Sequence, residues 1–344
     1  MNIRMAGIDY SMAGIEIREQ FSLTKSAQRE VYRSLRQDRR ILGAVLVSTC
    51  NRTELYLSCE AGYEPNPFEI LCHIVGQNYE DYALLHKMRS GDDVFWHLSQ
   101  MACGAKSQIW GEDQIITQVK NSLQFARENQ GTDAYLEVLF RMAITAAKKI
   151  KTTVAFSRSD HSIADKTLAL LQKAAKPVRR VLVIGNGEVG KLVARTLTKA
   201  GFSVTMTLRQ YKHAPVEIPP NVDVIEYSRR YERISEFDAL VSATLSPHYT
   251  IERAKVEGLG QLPHTMVDLA LPRDIEVSIG ELEGISLADV DSIAGGSIDE
   301  NHTRQMEEMK GIIEKYLTDY HKWYQYKERQ WDEKDLYRRV GTRE

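Results

Sequence analysis

The sequence predicts a multidomain α/β protein: an α+β domain over residues 1–155, a parallel-sheet domain over 156–293 and a long helix over 294–344. Three observations carry this reading. Strand-like and helix-like segments mix irregularly through the first third. A Ser/Thr/Arg-rich stretch, Thr152 to Asp160, then breaks the apolar periodicity, and a strand–glycine turn–helix–strand pattern opens beyond it. The tail repeats apolar residues at three- and four-residue steps.

Taken in order, Ile3 to Tyr10 reads as a strand and Ser22 to Arg39 as a polar-faced helix capped around Leu23–Ser26. Ile41 to Ser48 is a buried strand, and Thr53 to Ser58 continues extended. Helical patterns follow over Asn66–Val75, Asp92–Ala102, Gly111–Asn129 and Asp133–Lys151. After a short helix, Ile163 to Ala175, the run Val181-Leu182-Val183-Ile184 is a strand, Lys191 to Ala200 a helix ended by Gly201, and Phe202 to Thr207 the next strand. Val222–Tyr227, Ala239–Thr244 and Thr265–Leu269 are further strands. Ser297 to Glu300 forms a capping box for the last helix. Its stripe, Met306, Met309, Ile312, Ile313, Tyr316, Leu317, Tyr320 and Trp323, runs to about Trp331, roughly 50 Å at about 1.5 Å per residue. Such a stripe predicts that the helix lies along both domains or pairs with another chain.

The net charge of −2 gives no global basic field, so nucleic acid would have to be met by a local patch. Arg141, Lys148, Lys149 and Lys151 share one helix and offer such a patch, or equally a solvated face. The four cysteines lack CxxC spacing, and the nine histidines form no HxxxH or HExxH, so neither a zinc site nor a disulfide framework is implied. No run of about 18 apolar residues is present, which points to a soluble, cytoplasmic protein without a membrane partner.

Chemistry concentrates at Ser48-Thr49-Cys50-Asn51-Arg52, where a buried strand stops at a thiol with a guanidinium two residues on. A positive field there favours thiolate, the nucleophilic form. A small buried core residue is the plainer role for a cysteine. The second signal is Gly185-Asn186-Gly187-Glu188-Val189-Gly190, directly after a strand and opening a helix, the context that makes GxGxxG a dinucleotide fingerprint and the domain Rossmann-type. Gly185 permits the turn, Gly187 lets backbone approach a pyrophosphate, and Gly190 lets helix and strand pack closely. At the end of the second strand stand Arg209 and, nearby, Lys212, where an acidic residue would accept the NAD ribose. Basic groups suit a 2′-phosphate, so NADPH is expected.

A cysteine nucleophile upstream of an NADPH domain suggests acyl transfer to the thiol and reduction of the thioester to an aldehyde. The chain resembles the glutamyl-tRNA reductase family, which starts the C5 route to tetrapyrroles. Four segments carry the likeness: Ser48 to Glu54, Gly111 to Lys120, Ile184 to Gly190, and Val267 to Asp274. Ser242 to His248 adds a strand end like that beside the nicotinamide. The resemblance implies an N-terminal catalytic domain, an NADPH domain and a spinal helix. It implies that Cys50 takes the glutamyl group as a thioester, with Thr49, Arg52, Ser107, Glu112 and Gln114 lining the substrate site. Arg52 would bind the substrate carboxylate bidentately. His97 would protonate the departing ribose hydroxyl or orient the thiol, where a packed histidine on a helix face is the alternative. Implied partners are glutamyl-tRNA, a homodimer through the C-terminal helix and an aminotransferase that receives the aldehyde.

Several positions depart from the family pattern. Asp9-Tyr10-Ser11-Met12-Ala13-Gly14 keeps only the alanine of the early substrate-pocket segment, and Asp113 stands where the family has proline. Only Asp332 to Glu344 follows the spinal helix, in place of a full dimerisation domain. A related reductase for another acyl donor and a non-catalytic regulatory paralogue are the alternative readings.

Overall fold

The structure is a computed structural model and describes residues 2–154, 156, 162–209, 217–294 and 300–340. The chain forms two compact units. One comprises Met1–Ala13, Lys25–Ser157 and Ser297–Glu344, the other Gly14–Thr24 and Arg158–Gly296. This differs from the boundaries read from sequence at two places: a short early segment joins the second unit, and the long helix belongs to the first.

The first unit is built on a four-stranded antiparallel sheet. β1 (Ile3–Asp9), β2 (Ile41–Ser48), β3 (Arg52–Cys59) and β4 (Lys87–Ser90) lie in the order β2-β3-β1-β4. All eight residues of β3 are buried, so this central strand carries the polar Arg52 and Glu54 inside the unit. Gly7 lets β1 close on β3, because a Cβ there would sit 2.3 Å from the Thr53 carbonyl oxygen. Asp133 caps the helix Ala134–Thr153 by accepting from the Leu136 amide at 2.9 Å, and its other oxygen accepts from Ser58 Oγ at 2.8 Å, tying that helix to β3. Phe140 then meets Tyr56 edge-on at 5.1 Å.

The last helix spans Glu300–Val340, 41 residues or about 60 Å at about 1.5 Å per residue, longer than its stripe predicted. Met309, Ile313, Leu317 and Tyr320 are buried along it. They face helices of the same unit: Tyr320 stacks with Phe95 at 6.0 Å, its hydroxyl donates to the Tyr135 carbonyl at 3.2 Å, and Trp110 Nε1 donates to Gln305 Oε1 at 2.6 Å. These buried residues of the stripe are covered by Asp92–Ala102 and Ala134–Thr153 of the same unit. The capping-box serine lies outside the described residues.

The second unit holds a six-stranded parallel sheet of β5 (Arg180–Ile184), β6 (Ser203–Leu208), β7 (Asp223–Glu226), β8 (Ala239–Ser242), β9 (Thr265–Asp268) and β10 (Ser286–Asp289). Its order, β10-β9-β8-β5-β6-β7, reverses direction between β5 and β8, the switch point at which doubly wound sheets bind dinucleotides. β5 is apolar because both faces are covered; Val181 to Ile184 are all fully buried. A helix absent from the sequence reading, Ile15–Gln20, belongs here. Glu19 accepts from Arg273 Nη2 at 2.8 Å and from its backbone amide at 2.7 Å, and Phe21 is buried behind it.

Candidate active site

Cys50 occupies the tip of the β2–β3 hairpin. Local hydrogen bonds shape the tip: the Thr49 amide donates to the Arg52 carbonyl at 2.8 Å, the Asn51 amide to Thr49 Oγ1 at 3.2 Å, and the Tyr10 amide to the Asn51 carbonyl at 3.0 Å. Cys50 is half-buried, whereas Cys59, Cys72 and Cys103 are buried and burial pushes their thiols up to about 11. Accessibility singles out Cys50 as the thiol fit for chemistry.

Arg52 is 1% exposed, and its contacts differ from the expected carboxylate clamp. Nη1 donates to Glu54 Oε1 at 2.8 Å and lies 3.8 Å from Asp9 Oδ2, while Nη2 donates to the Lys106 carbonyl. Only Nε has no hydrogen-bond partner, so the fork is already filled by the protein. Glu54, to which the sequence reading gave no role, is the hub. It accepts from Arg52, from Tyr56 Oη at 2.6 Å, and pairs with His97 Nε2 at 3.0 Å. Burial alone would push its carboxyl up, but the Arg52 charge and the hydrogen bonds from His97 and Tyr56 outweigh burial and hold it well below the usual carboxylate range. Burial lowers the pKa of His97 and Glu54 opposes this only in part, which keeps the ring neutral near pH 7. A signal for Glu54 was present: residues 52, 54 and 56 share one face of a strand, and a charged pair on a buried strand must satisfy itself internally.

The segment from Gly104 to Asp113 forms the next wall. Gly104 and Gly111 take φ of +88° and +74°, left-handed values that suit glycine. The Ser107 carbonyl accepts from Tyr10 Oη at 3.1 Å, and Ser107 Oγ is buried without a hydrogen-bond partner. Lys151 Nζ donates to the Gly111 carbonyl at 2.7 Å, the Glu112 carbonyl at 3.0 Å and the Asp113 carboxylate. That corrects its expected place in a phosphate patch: Lys151 holds this loop, and Arg141, Lys148 and Lys149 alone remain exposed. Gln114 opens the helix Gln114–Glu128 three residues later than the pattern suggested.

Burial pushes the Glu112 carboxyl up to about 7, with Lys151 and Arg52 pulling the other way. A raised folded-state value stabilises below the ordinary glutamate range, and this contribution is lost as pH rises through about 7. Its size is on the order of 3 kcal/mol. Wild type is therefore expected to lose thermal stability relative to Glu112→Gln between about pH 5 and about pH 8. Thermal unfolding followed across that range checks it; parallel curves for the two proteins contradict it.

In the second unit the three glycines differ in their surroundings. Gly185 has φ +110° and a Cβ there would lie 2.4 Å from the Ala243 carbonyl oxygen; at Gly190 it would lie 2.0 Å from the Gly185 carbonyl oxygen. Gly187 has nothing within 4 Å, an open cradle beside a helix start. The helix begins at Glu188 rather than Lys191, so Glu188, Val189 and Gly190 form its first turn, and Asn186 sits in the bend before it. Arg209, at the exposed end of β6, lies over the Tyr227 ring at 4.2 Å, with Arg230 at 3.9 Å from the same ring. Lys212 lies outside the described residues. Asp274 accepts from Ser242 Oγ at 2.7 Å and the Thr244 amide at 2.8 Å, and Asp268 accepts from the Ala270 and Ile275 amides at 3.0 and 2.7 Å. These bonds fix the loops after β8 and β9, which is why the two segments read as motifs. An open glycine cradle at the switch point fits a nicotinamide dinucleotide.

Together these features define a thiol-bearing, nicotinamide-dependent oxidoreductase. Residues 6–154 match the family model described as Glutamyl-tRNAGlu reductase, N-terminal domain, and residues 167–295 that described as Shikimate / quinate 5-dehydrogenase. The chain is 51% identical to the glutamyl-tRNA reductase of Acetivibrio thermocellus over 96% of its length and 99% of that relative, and 49% identical to that of Alkaliphilus oremlandii over 95% and 98%. It is similar to the solved glutamyl-tRNA reductase of Methanopyrus kandleri at 25% identity and TM-score 0.49, covering 96% of this chain and 82% of that one. The chain belongs to the glutamyl-tRNA reductase family, oxidoreductases of the first step of tetrapyrrole biosynthesis. Among the described residues no helix is long and apolar enough to cross a membrane.

Proposed function

We propose that this protein takes the glutamyl group from glutamyl-tRNA onto Cys50 and releases it as glutamate-1-semialdehyde in an NADPH-dependent reduction. The observation that carries the reading is the half-buried Cys50 at a hairpin tip whose next strand residues enter a buried Arg52–Glu54–His97 cluster. The Cys50 sulfur attacks the aminoacyl ester carbon, and the terminal ribose hydroxyl leaves with a proton. Thr49 and Asn51 hold the tip. Arg52 Nε and Ser107 Oγ, two of the buried polar atoms without hydrogen-bond partners, are left to meet the substrate, with Glu112 and Gln114 on the adjoining segment. NADPH, when bound, supplies hydride to the thioester carbonyl; Gly185 to Gly190 would hold its pyrophosphate and Arg209 its 2′-phosphate.

Incubation with tRNA carrying labelled glutamate, and separately with tRNA carrying labelled glutamine, tests the donor. Label on Cys50 from the first alone supports the reading; equal labelling from both, or none from the first, defeats it. Arg209→Ser is expected to weaken NADPH binding about tenfold or more while leaving NADH unchanged, as fluorescence titration of both nucleotides would show. A homodimer would use the face of the last helix left exposed. An aminotransferase partner suits the product, because a free α-amino aldehyde is reactive in water. A cytoplasmic setting suits a catalytic thiol.

A further inference from the structure

We propose that Glu54 is a positioning residue for acyl transfer: its carboxylate holds His97 with the ring proton on Nε2, leaving Nδ1 to accept the Cys50 thiol proton. The inference rests on the thioester reading above and assigns the group that prepares its base. Both carboxylate oxygens of Glu54 are committed, Oε1 to Arg52 Nη1 at 2.8 Å and His97 Nε2 at 3.0 Å, and Oε2 to Tyr56 Oη at 2.6 Å. An ionised carboxylate only accepts, so Nε2 must donate; a neutral imidazole has one N–H, so Nδ1 carries the lone pair. Nδ1 is buried and has no hydrogen-bond partner, in a ring that is 2% exposed. Leaving a buried acceptor unpaired is costly, and packing alone does not require it. Arg52 Nε and Ser107 Oγ are unpartnered in the same way, and Arg52 Nη2 reaches the carbonyl of Lys106, next to Ser107.

The step balances without a redox partner. The Sγ proton passes to Nδ1, the C–S bond forms at the glutamyl carbonyl, and the ester C–O bond breaks. The departing ribose oxygen then takes the proton back from Nδ1. The charged groups facing His97 are Glu54 and Arg52 on β3 and Arg89 on β4; Asp9 on β1, Lys106 and Tyr56 face its partners.

The test is single-turnover transfer from tRNA carrying labelled glutamate, without nicotinamide, across pH, for wild type, Glu54→Gln, His97→Asn and the double variant. Glu54→Gln is expected to slow labelling about a hundredfold, the double variant to be no slower than His97→Asn, and the acid limb of Glu54→Gln to move to lower pH because the carboxylate that supports the imidazolium is gone. Labelling of Glu54→Gln at the wild-type rate, independent multiplication of the two effects, or an unmoved limb overturns the proposal. Failure of wild type to take label overturns the thioester reading itself, and this role with it. If Glu54→Gln does not fold, nitrogen NMR of the wild-type His97 ring decides: the Nε2-protonated tautomer supports the role, and the Nδ1-protonated one overturns it.

Discussion

Cys50→Ser is expected to take no glutamyl label and to lose reductase activity by ~10³-fold or more, while binding nicotinamide nucleotide as wild type does. A serine hydroxyl at this hairpin tip keeps the backbone hydrogen bonds of the turn, which the Thr49, Asn51 and Tyr10 amides donate. What changes is the ionisation of the attacking atom. The three remaining cysteines offer no substitute, since all are buried with thiols raised to about 11. Mass spectrometry of the protein after exposure to glutamyl-tRNA, paired with a nucleotide titration, checks both halves. A labelled serine variant would move the nucleophile elsewhere.

The second large effect separates two glycines of one loop. Gly190→Val places a Cβ 2.0 Å from the Gly185 carbonyl oxygen, backbone against backbone, so the turn itself must shift. Nucleotide binding is expected to fall about a hundredfold or more, with a lower melting temperature. Gly187→Ala meets no atom within 4 Å, and its backbone, at φ −74°, accepts alanine. It is expected to melt as wild type does yet to bind nucleotide about tenfold or more weakly, because the methyl occupies the space where the ligand lies. Both variants should still take the glutamyl label on Cys50, which belongs to the other compact unit. Unchanged nucleotide binding in Gly187→Ala would show that the cradle is not used.

Long, strongly patterned elements were legible in the sequence because one physical constraint wrote them. Val181 to Ile184 are apolar since both faces of β5 are covered, and the helix Asp92–Ala102 repeats its buried residues at the helical period. The misses share a cause. β4 and β10 are four-residue edge strands with exposed or half-exposed side chains, and the helix Ile15–Gln20 is held by charge pairs distant in sequence, so none has a period to read. The thiol and the glycine turn announced themselves by context. The engagement of Arg52, the work of Lys151 and the hub at Glu54 did not, because they depend on which strands become neighbours: Asp9 pairs with Arg52 only once β1 lies against β3. The long helix showed its stripe but not its cover, which comes from residues some 185 to 230 positions away.

The central claim is that one thiol accepts the glutamyl group and a nicotinamide nucleotide then discharges it. A chase tests it most directly. Wild-type protein is loaded with labelled glutamate from tRNA, freed of tRNA and mixed with NADPH. Loss of label from Cys50, with its quantitative recovery as glutamate-1-semialdehyde, is the predicted result. Label that stays on the protein, or leaves as free glutamate at the same rate with and without NADPH, would contradict the account.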